Sequence, residues 1–352
     1  TPVWTTTTYD AIRRPLVVTE PDGATTTTTY GNWSTTTTDP RGLVTDRFFD
    51  GYQQLARVVE RIVATTSTTT CGLFGLNCTT TTTTQTVSAY TTNLGYDLLG
   101  QRVSVVDAKG NTTTSTFDPL GRRIQSADPD LGLWLYSYDD AGRVTTQTDA
   151  RGVTTELSYD ALGRPLQRRA GTEVLATFTY DEAAAGAANV GRLTSFTDPT
   201  GATRRDYDPA GRLRAEQKTI GADTYRLDWA FDAAGRLASI TYPAVAGVRE
   251  QVGLTYDASG RPASVGAYVA GLAYNARGAV TAATYGNGAS VARTYSPTRG
   301  WMLSQTVTAG ATVVDQFAVT RALSGDITAR TSSVETRDAW AFGYDPFGRL
   351  TT

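Results

Sequence analysis

The sequence predicts an all-β protein, an antiparallel meander of tandem hairpins that coils. Three observations carry that expectation. An aromatic residue recurs every 21 residues, at Tyr96, Phe117, Tyr138, Tyr159 and Tyr180, each followed by Asp. Between these beats apolar-leaning and polar positions alternate: Val153, Thr155, Leu157 and Tyr159 against Thr154, Glu156 and Ser158. That is the period of a half-buried strand. Turn signals with Asp first and Gly fourth punctuate the strands, as in Asp149-Ala150-Arg151-Gly152 and Asp160-Ala161-Leu162-Gly163. Asp bonds its own backbone two residues on, and Gly supplies the positive φ that closes a type I turn with a bulge. A period in the twenties, many times repeated, marks stacked supersecondary units.

One repeat therefore reads as strand, turn, strand, turn. Arg143 to Thr148 is rich in β-branched residues and forms the first strand. Val153 to Tyr159 forms the second. Where proline follows the Asp, as in Asp118-Pro119 and Asp208-Pro209, it presets φ at the second turn position. Neither strand has a partner unless neighbouring repeats supply one, so the meander must coil or close, as a shell, barrel or rod, to protect its edges. The tyrosine ends one strand with its hydroxyl at the wet end. The arginine of Gly-Arg opens the next and can reach an Asp or a carbonyl in the adjacent hairpin.

The chain reads as one continuous array over 1–352 with three textures. Residues 1–92 are degenerate and Thr-rich. Tyr9-Asp10, Tyr30-Gly31 and Phe49-Asp50 keep a loose beat, and Glu20-Pro21-Asp22-Gly23 and Asp39-Pro40-Arg41-Gly42 give the second turn. Thr runs at 5–8, 25–29, 35–38 and 79–84 suit strands by β propensity. They also suit O-linked sugar on an extracellular surface. A third reading is that other residues stand behind these threonines, which the complete absence of histidine favours. The 47 residues from Phe49 to Tyr96 leave room for two units plus the loop between Cys71 and Cys78. Two cysteines six residues apart around a glycine-rich loop, in an otherwise Cys-free chain, favour a local disulfide. Asn32-Trp33-Ser34, Asn77-Cys78-Thr79 and Asn111-Thr112-Thr113 match the N-glycosylation acceptor pattern.

Residues 93–180 hold the regular beat. From 181 to 352 it loosens: Glu182 to Asn189 is an Ala-rich insertion that should lengthen one hairpin loop and leave the sheet intact. Tyr274 to Gly278 and Tyr295 to Gly300 are degenerate copies, and Tyr344 restores the pattern. The opening Thr1-Pro2-Val3-Trp4 falls in mid-repeat, without a signal peptide, and the end stops at the start of a strand, so the sequence reads as a window on a longer protein.

Seven near-identical copies carry the strongest pattern. They are Phe117, Asp118, Gly121 and Arg122; Tyr138, Asp139, Gly142 and Arg143; Tyr159, Asp160, Gly163 and Arg164; Tyr207, Asp208, Gly211 and Arg212; Phe231, Asp232, Gly235 and Arg236; Tyr256, Asp257, Gly260 and Arg261; Tyr344, Asp345, Gly348 and Arg349. This pattern resembles the YD-repeat, or rearrangement-hotspot (RHS), family, and the resemblance runs from Tyr9-Asp10 to the C-terminus. The family includes shell-forming parts of bacterial polymorphic toxins, the cargo-enclosing component of insecticidal toxin complexes, and the extracellular domain of teneurin receptors. The resemblance implies a spiralling sheet that can close into a hollow shell. Its partners would be its own C-terminal cargo domain or identical subunits, with glycans on the threonine reading. Many RHS shells cut themselves beside an Asp-Pro-x-Gly-Leu sequence; here Asp39-Pro40-Arg41-Gly42-Leu43 lies near the start and reads as an ordinary turn.

Composition bounds the chemistry. The formal net charge is −2, and no run of twenty apolar residues occurs, so the sequence predicts a soluble chain with no membrane span and no nucleic-acid partner. Of 32 basic residues only Lys109 and Lys218 are lysine, which fits a GC-rich bacterial genome. Without histidine there is no Ser-His-Asp triad, Cys-His pair or His-based metal site. The acidic residues fall at turns. The expectation is a non-catalytic scaffold of a secreted protein, without cofactor or metal, forming the wall around a toxin; the alternative is an extracellular self-assembling filament or adhesin.

Overall fold

A computed structural model describes residues 4–70, 79–334 and 338–351. Among them are 29 strands joined in antiparallel sheet, and no α-helix. Nearly every strand follows a turn that returns the chain beside its predecessor, so pairing is between sequence neighbours: Gly132–Tyr138 with Val144–Thr148, that strand with Thr154–Tyr159, and so on. Cys71 and Cys78, with the expected disulfide, lie outside the described residues.

The contacts cluster into two compact units, Ser115–Val291 and a second made of Thr1–Thr114 with Ala292–Thr352. In Ser115–Val291 the strands Arg123–Asp128 through Val280–Tyr285 are mostly five to nine residues long, as expected of ordinary sheet. The Ala-rich insertion leaves the ladder intact: Tyr180 pairs with Leu193 across it. Asn189 pins the insertion. Its side-chain amide is buried, donates to the Glu182 carbonyl and the Asp206 carboxylate, and accepts the Tyr207 N–H.

In the other unit the stretch from Phe49 to Tyr96 departs from the sequence expectation. Instead of two units it holds one elongated hairpin, Leu55–Thr70 against Thr79–Tyr96, in register from Arg57–Asn93 to Thr70–Thr79 with one bulge. No Asp-x-x-Gly signal interrupts residues 55–70, so nothing ends the strand early. Beyond the Leu43–Ile62 and Asn93–Val106 pairs the hairpin continues as a two-stranded ribbon.

The buried apolar residues are few and small, Ala24, Val44, Ala176, Ala215, Val252, Ala283, Val291 and Val319 among the described residues. Large aromatics are instead half-buried at strand ends, beside the turns. The sheet thus depends on its backbone ladders and on what happens at those ends.

Candidate functional site

The predicted motif residues form the same turn in each copy, built from the backbone upward. In each YD turn the Asp N–H donates to the carbonyl four residues on, and the Gly N–H donates back to the Asp carbonyl; for Asp139 these bonds go to Arg143 and come from Gly142. One Asp carboxylate oxygen accepts the N–H of the fifth turn residue, 2.9 Å at Arg143, and in most copies that of the third. Gly142 and Gly163 adopt φ of 80° and 83°, where an L side chain is strained. A bulge falls between Ser137 and Tyr138, and between Ser158 and Tyr159, so each aromatic ends its strand out of register. The second kind of turn has the same backbone: Asp149 pairs with Val153 and Gly152, and Asp39 with Leu43 and Gly42.

The arginine distinguishes the YD turn. Its guanidinium closes back on the Asp of its own turn at 2.6–2.8 Å in all seven copies. It also lies over the aromatic ring of the next turn. In Ser115–Val291 this gives Arg122 on Tyr138, Arg143 on Tyr159, Arg164 on Tyr180, Arg192 on Tyr207, Arg212 on Phe231, Arg236 on Tyr256 and Arg261 on Tyr274, at 4.2–5.2 Å. A terminal nitrogen of Arg122, Arg143 and Arg261 donates to the first carbonyl of the next turn, at Asp139, Asp160 and Asn275; Arg164 reaches the Asp181 carboxylate. The next tyrosine answers. Its hydroxyl donates to the carbonyl just after the arginine: Tyr138 to Arg123, Tyr159 to Val144, Tyr180 to Pro165, Tyr207 to Leu193, Tyr256 to Leu237 and Tyr274 to Pro262. Successive turns are thus tied into a rail by ring contact and hydrogen bond, each arginine being held in place by the ion pair to its own Asp.

The rail keeps its geometry while the sequence separation varies from 13 residues, Arg261 to Tyr274, to 20, Arg236 to Tyr256. Insertions go into strands and loops and, at Glu182 to Asn189, into one rail turn, which the Asp181 N–H still closes on the Arg192 carbonyl. Arg192, outside the seven copies, takes the arginine position after the insertion.

The turn carboxyls are shifted by the bonds that close the turn. The carboxyls of Asp118, Asp139, Asp208, Asp232 and Asp257 lie below the usual carboxylate range, first because of the backbone N–H of the arginine four residues on. At Asp160 and Asp345 burial opposes the shift most, and the bonds from Arg164 and Arg349 prevail. These carboxylates are held ionised as acceptors. Among the described residues no group of three or more His, Cys, Asp or Glu could hold a metal ion.

In the second unit the rail is broken. Arg14 pairs with Asp10 and lies 4.1 Å over Tyr30, but Ser34, Gln54 and Gln101 follow at the later arginine positions. Tyr344, Asp345, Gly348 and Arg349 form their turn and clamp, with Tyr344 bridged to Leu350. Three contacts join parts of this unit far apart in sequence, and the sequence alone carried no signal for them. Arg41, in the Asp-Pro-x-Gly-Leu turn, holds Asp326 with two nitrogens at 2.7 and 2.9 Å. Arg299 lies 2.9 Å from Glu20 and 3.2 Å from Asp22. Phe347 meets Tyr90 edge to face.

The RHS Repeat family model matches residues 96–131, 138–174 and 190–224. No curated protein sequence matches. Among solved structures, the crystal structure of TcdB2-TccC3-Cdc42 is 16% identical with a TM-score of 0.82, covering 98% of this chain and 19% of that chain. The crystal structure of TcdB2-TccC3 is 17% identical, with the same TM-score and coverage. The Photorhabdus luminescens Tc holotoxin pore, with the TccC3 D651A mutation, is 16% identical with a TM-score of 0.81 and the same coverage. The chain thus shares their fold over nearly its whole length and spans about a fifth of theirs. Part of the rail, from Tyr138 to Arg164 and from Arg192 to Arg212, falls inside the matched residues, so these stretches carry RHS repeats.

Proposed function

We propose that this chain is a non-catalytic length of wall in a secreted bacterial RHS-repeat protein, whose sheet encloses a toxin cargo until delivery. The observation that supports this most is the rail. It ties each turn to the next through atoms that do no chemistry, and it tolerates insertions between turns, as a long continuous wall requires. The fold shared with toxin-complex structures supports the same reading. The partner would be a C-terminal cargo domain of the same protein, and the place of action outside the producing cell. A wall sequesters by covering surface, so the mechanism is containment rather than turnover.

Electron microscopy of the complete native protein tests this. Discrete hollow particles with density inside are expected. Uniform fibres would overturn the enclosure and favour a self-assembling extracellular filament, for which the threonine-rich ribbon of residues 63–70 and 79–86 would be the first contact to examine.

A further inference from the structure

The break in the rail at Tyr30 leaves a cavity of about 360 Å³, lined by Arg14, Tyr30, Trp33, Ser34, Phe49 and Gln53 among others. Its position can be read from the intact turns. There, the guanidinium of one turn lies over the next aromatic and against the fourth residue of that aromatic's turn: Arg143 lies over Tyr159 and beside Gly163, Arg212 over Phe231 and beside Gly235. Phe49 corresponds to Tyr159. Gln53 corresponds to Gly163, since its N–H donates to the Asp50 carbonyl and its φ is 62°. The cavity therefore lies where the guanidinium of the preceding turn lies elsewhere. That turn, Tyr30-Gly31-Asn32-Trp33-Ser34, is closed by the Gly31 N–H to the Ser34 carbonyl and has neither the Asp nor the Arg. No cation lies over the Phe49 ring among the described residues, whereas Tyr30 beside it is already covered by Arg14. At the next break the space is filled differently, by the Gln54 side chain lying against Gly100.

We infer that the cavity at Phe49 is a binding site for the guanidinium of an arginine side chain supplied by a partner polypeptide. Of what the rail offers its own arginines the site keeps the aromatic face, Phe49, and beside Gln53 the turn of Asp50, whose carbonyl is the equivalent of those of Asp139 and Asp160 that accept from Arg122 and Arg143; Arg14, which also lines the cavity, is already engaged by Asp10 and the Tyr30 ring. Trp33, 54% exposed on the shortened turn, adds a second aromatic wall. A planar cation stacks on such faces and donates in their plane, while an ammonium does neither as well. The carboxylate of the usual clamp is replaced by Gly31, so the site holds its ligand more loosely than the rail holds its own, as a reversible contact should.

The test is a titration of N-acetyl-arginine-methylamide into the folded chain, followed by chemical-shift changes of the Trp33 indole and Phe49 ring. The citrulline and lysine analogues run in parallel. Arginine should bind with citrulline weaker by about tenfold, the loss of one cation–aromatic contact in a partly desolvated site. Trp33→Ala and Phe49→Leu should each weaken arginine binding while the thermal melt stays within a few degrees. Trp33 is exposed, so at least that variant will fold. Equal binding of arginine and citrulline, no saturation, or binding untouched by Trp33→Ala in a folded protein would each overturn the assignment.

Discussion

In Ser115–Val291 every turn of the rail is tied to its sequence neighbour, whereas in the unit of Thr1–Thr114 and Ala292–Thr352 Arg41 and Arg299 tie turns almost 300 residues apart. The backbone turn is the same in both: Asp10 with Arg13 and Arg14 closes as Asp139 does with Gly142 and Arg143. The difference lies in the residue whose carbonyl closes the turn. Seven consecutive arginines cover seven consecutive aromatics in the first unit. In the second, Arg14 is followed by Ser34, Gln54 and Gln101. The comparison teaches that the hairpin array and the rail are separable. Asp and the positive-φ residue make the turn; arginine and tyrosine link one turn to the next. Where that link lapses, Arg41 and Arg299 connect distant turns.

The largest expected effect follows from breaking one of those distant ties. Arg299→Ala leaves Glu20 and Asp22 facing each other without their cation and removes the contact with Trp301. It should cost about 2–3 kcal/mol, somewhat less than breaking a fully buried pair because Glu20 is partly exposed. Hydrogen exchange should accelerate in residues 15–30 and 302–321 and stay unchanged in 123–285. Equal acceleration in both units would mean that they do not unfold separately, and the contrast drawn above would fail.

A smaller effect sharpens the contrast at one turn position. Gly163→Ala puts a side chain at φ 83° and should destabilise by about 1–2 kcal/mol. Gln53 stands at the same position with φ 62° already carrying that strain. Gln53→Gly should therefore stabilise by up to about 1 kcal/mol, less the extra chain entropy of glycine. Thermal melts of the two variants should move in opposite directions. Movement in the same direction would show that the two turns are not equivalent.

Much of this was legible in the residues. The strands Thr154–Tyr159 and Val144–Thr148 follow from alternation between two Asp-x-x-Gly signals, because local turn chemistry sets both ends. Which turn residues make which contact was partly legible. Arginine was expected to reach an adjacent hairpin; that it also closes on its own Asp, and lies on the ring of the next turn, depends on the bulge that rotates each tyrosine out of register. The stretch from Phe49 to Tyr96 misled, since counting residues by the repeat length assumes a turn that its sequence does not encode. The pairing of Arg41 with Asp326 was not legible at all: a surface arginine in a turn looks the same whether its partner is four residues away or 285.

The smallest effect concerns acid, and it separates one tie from many. Asp326 is held at about 2, below its ordinary 3.8, first by the Arg41 guanidinium and then by the Ser324 hydroxyl. A carboxyl lowered by folding contributes stability that is fully present above its unfolded value and is lost as pH falls through the folded one. The contribution of Asp326 is therefore intact above about pH 4 and fades toward pH 2. The rail carboxyls of Asp118, Asp139, Asp160, Asp208, Asp232 and Asp257 are lowered in the same direction. Both units should thus weaken as the pH falls through their folded values, but they should respond differently to one substitution. Asp326→Asn removes the ion pair that holds the turn of Arg41, so it should visibly flatten the acid limb for residues 39–43 and 322–328. Asp139→Asn removes one of six similar contributions and should leave the acid limb of its unit nearly unchanged. Hydrogen exchange at pH 2.5 and 5 in the two variants measures both limbs at once, and an equal flattening in each would mean that a rail carboxylate and a long-range one contribute alike.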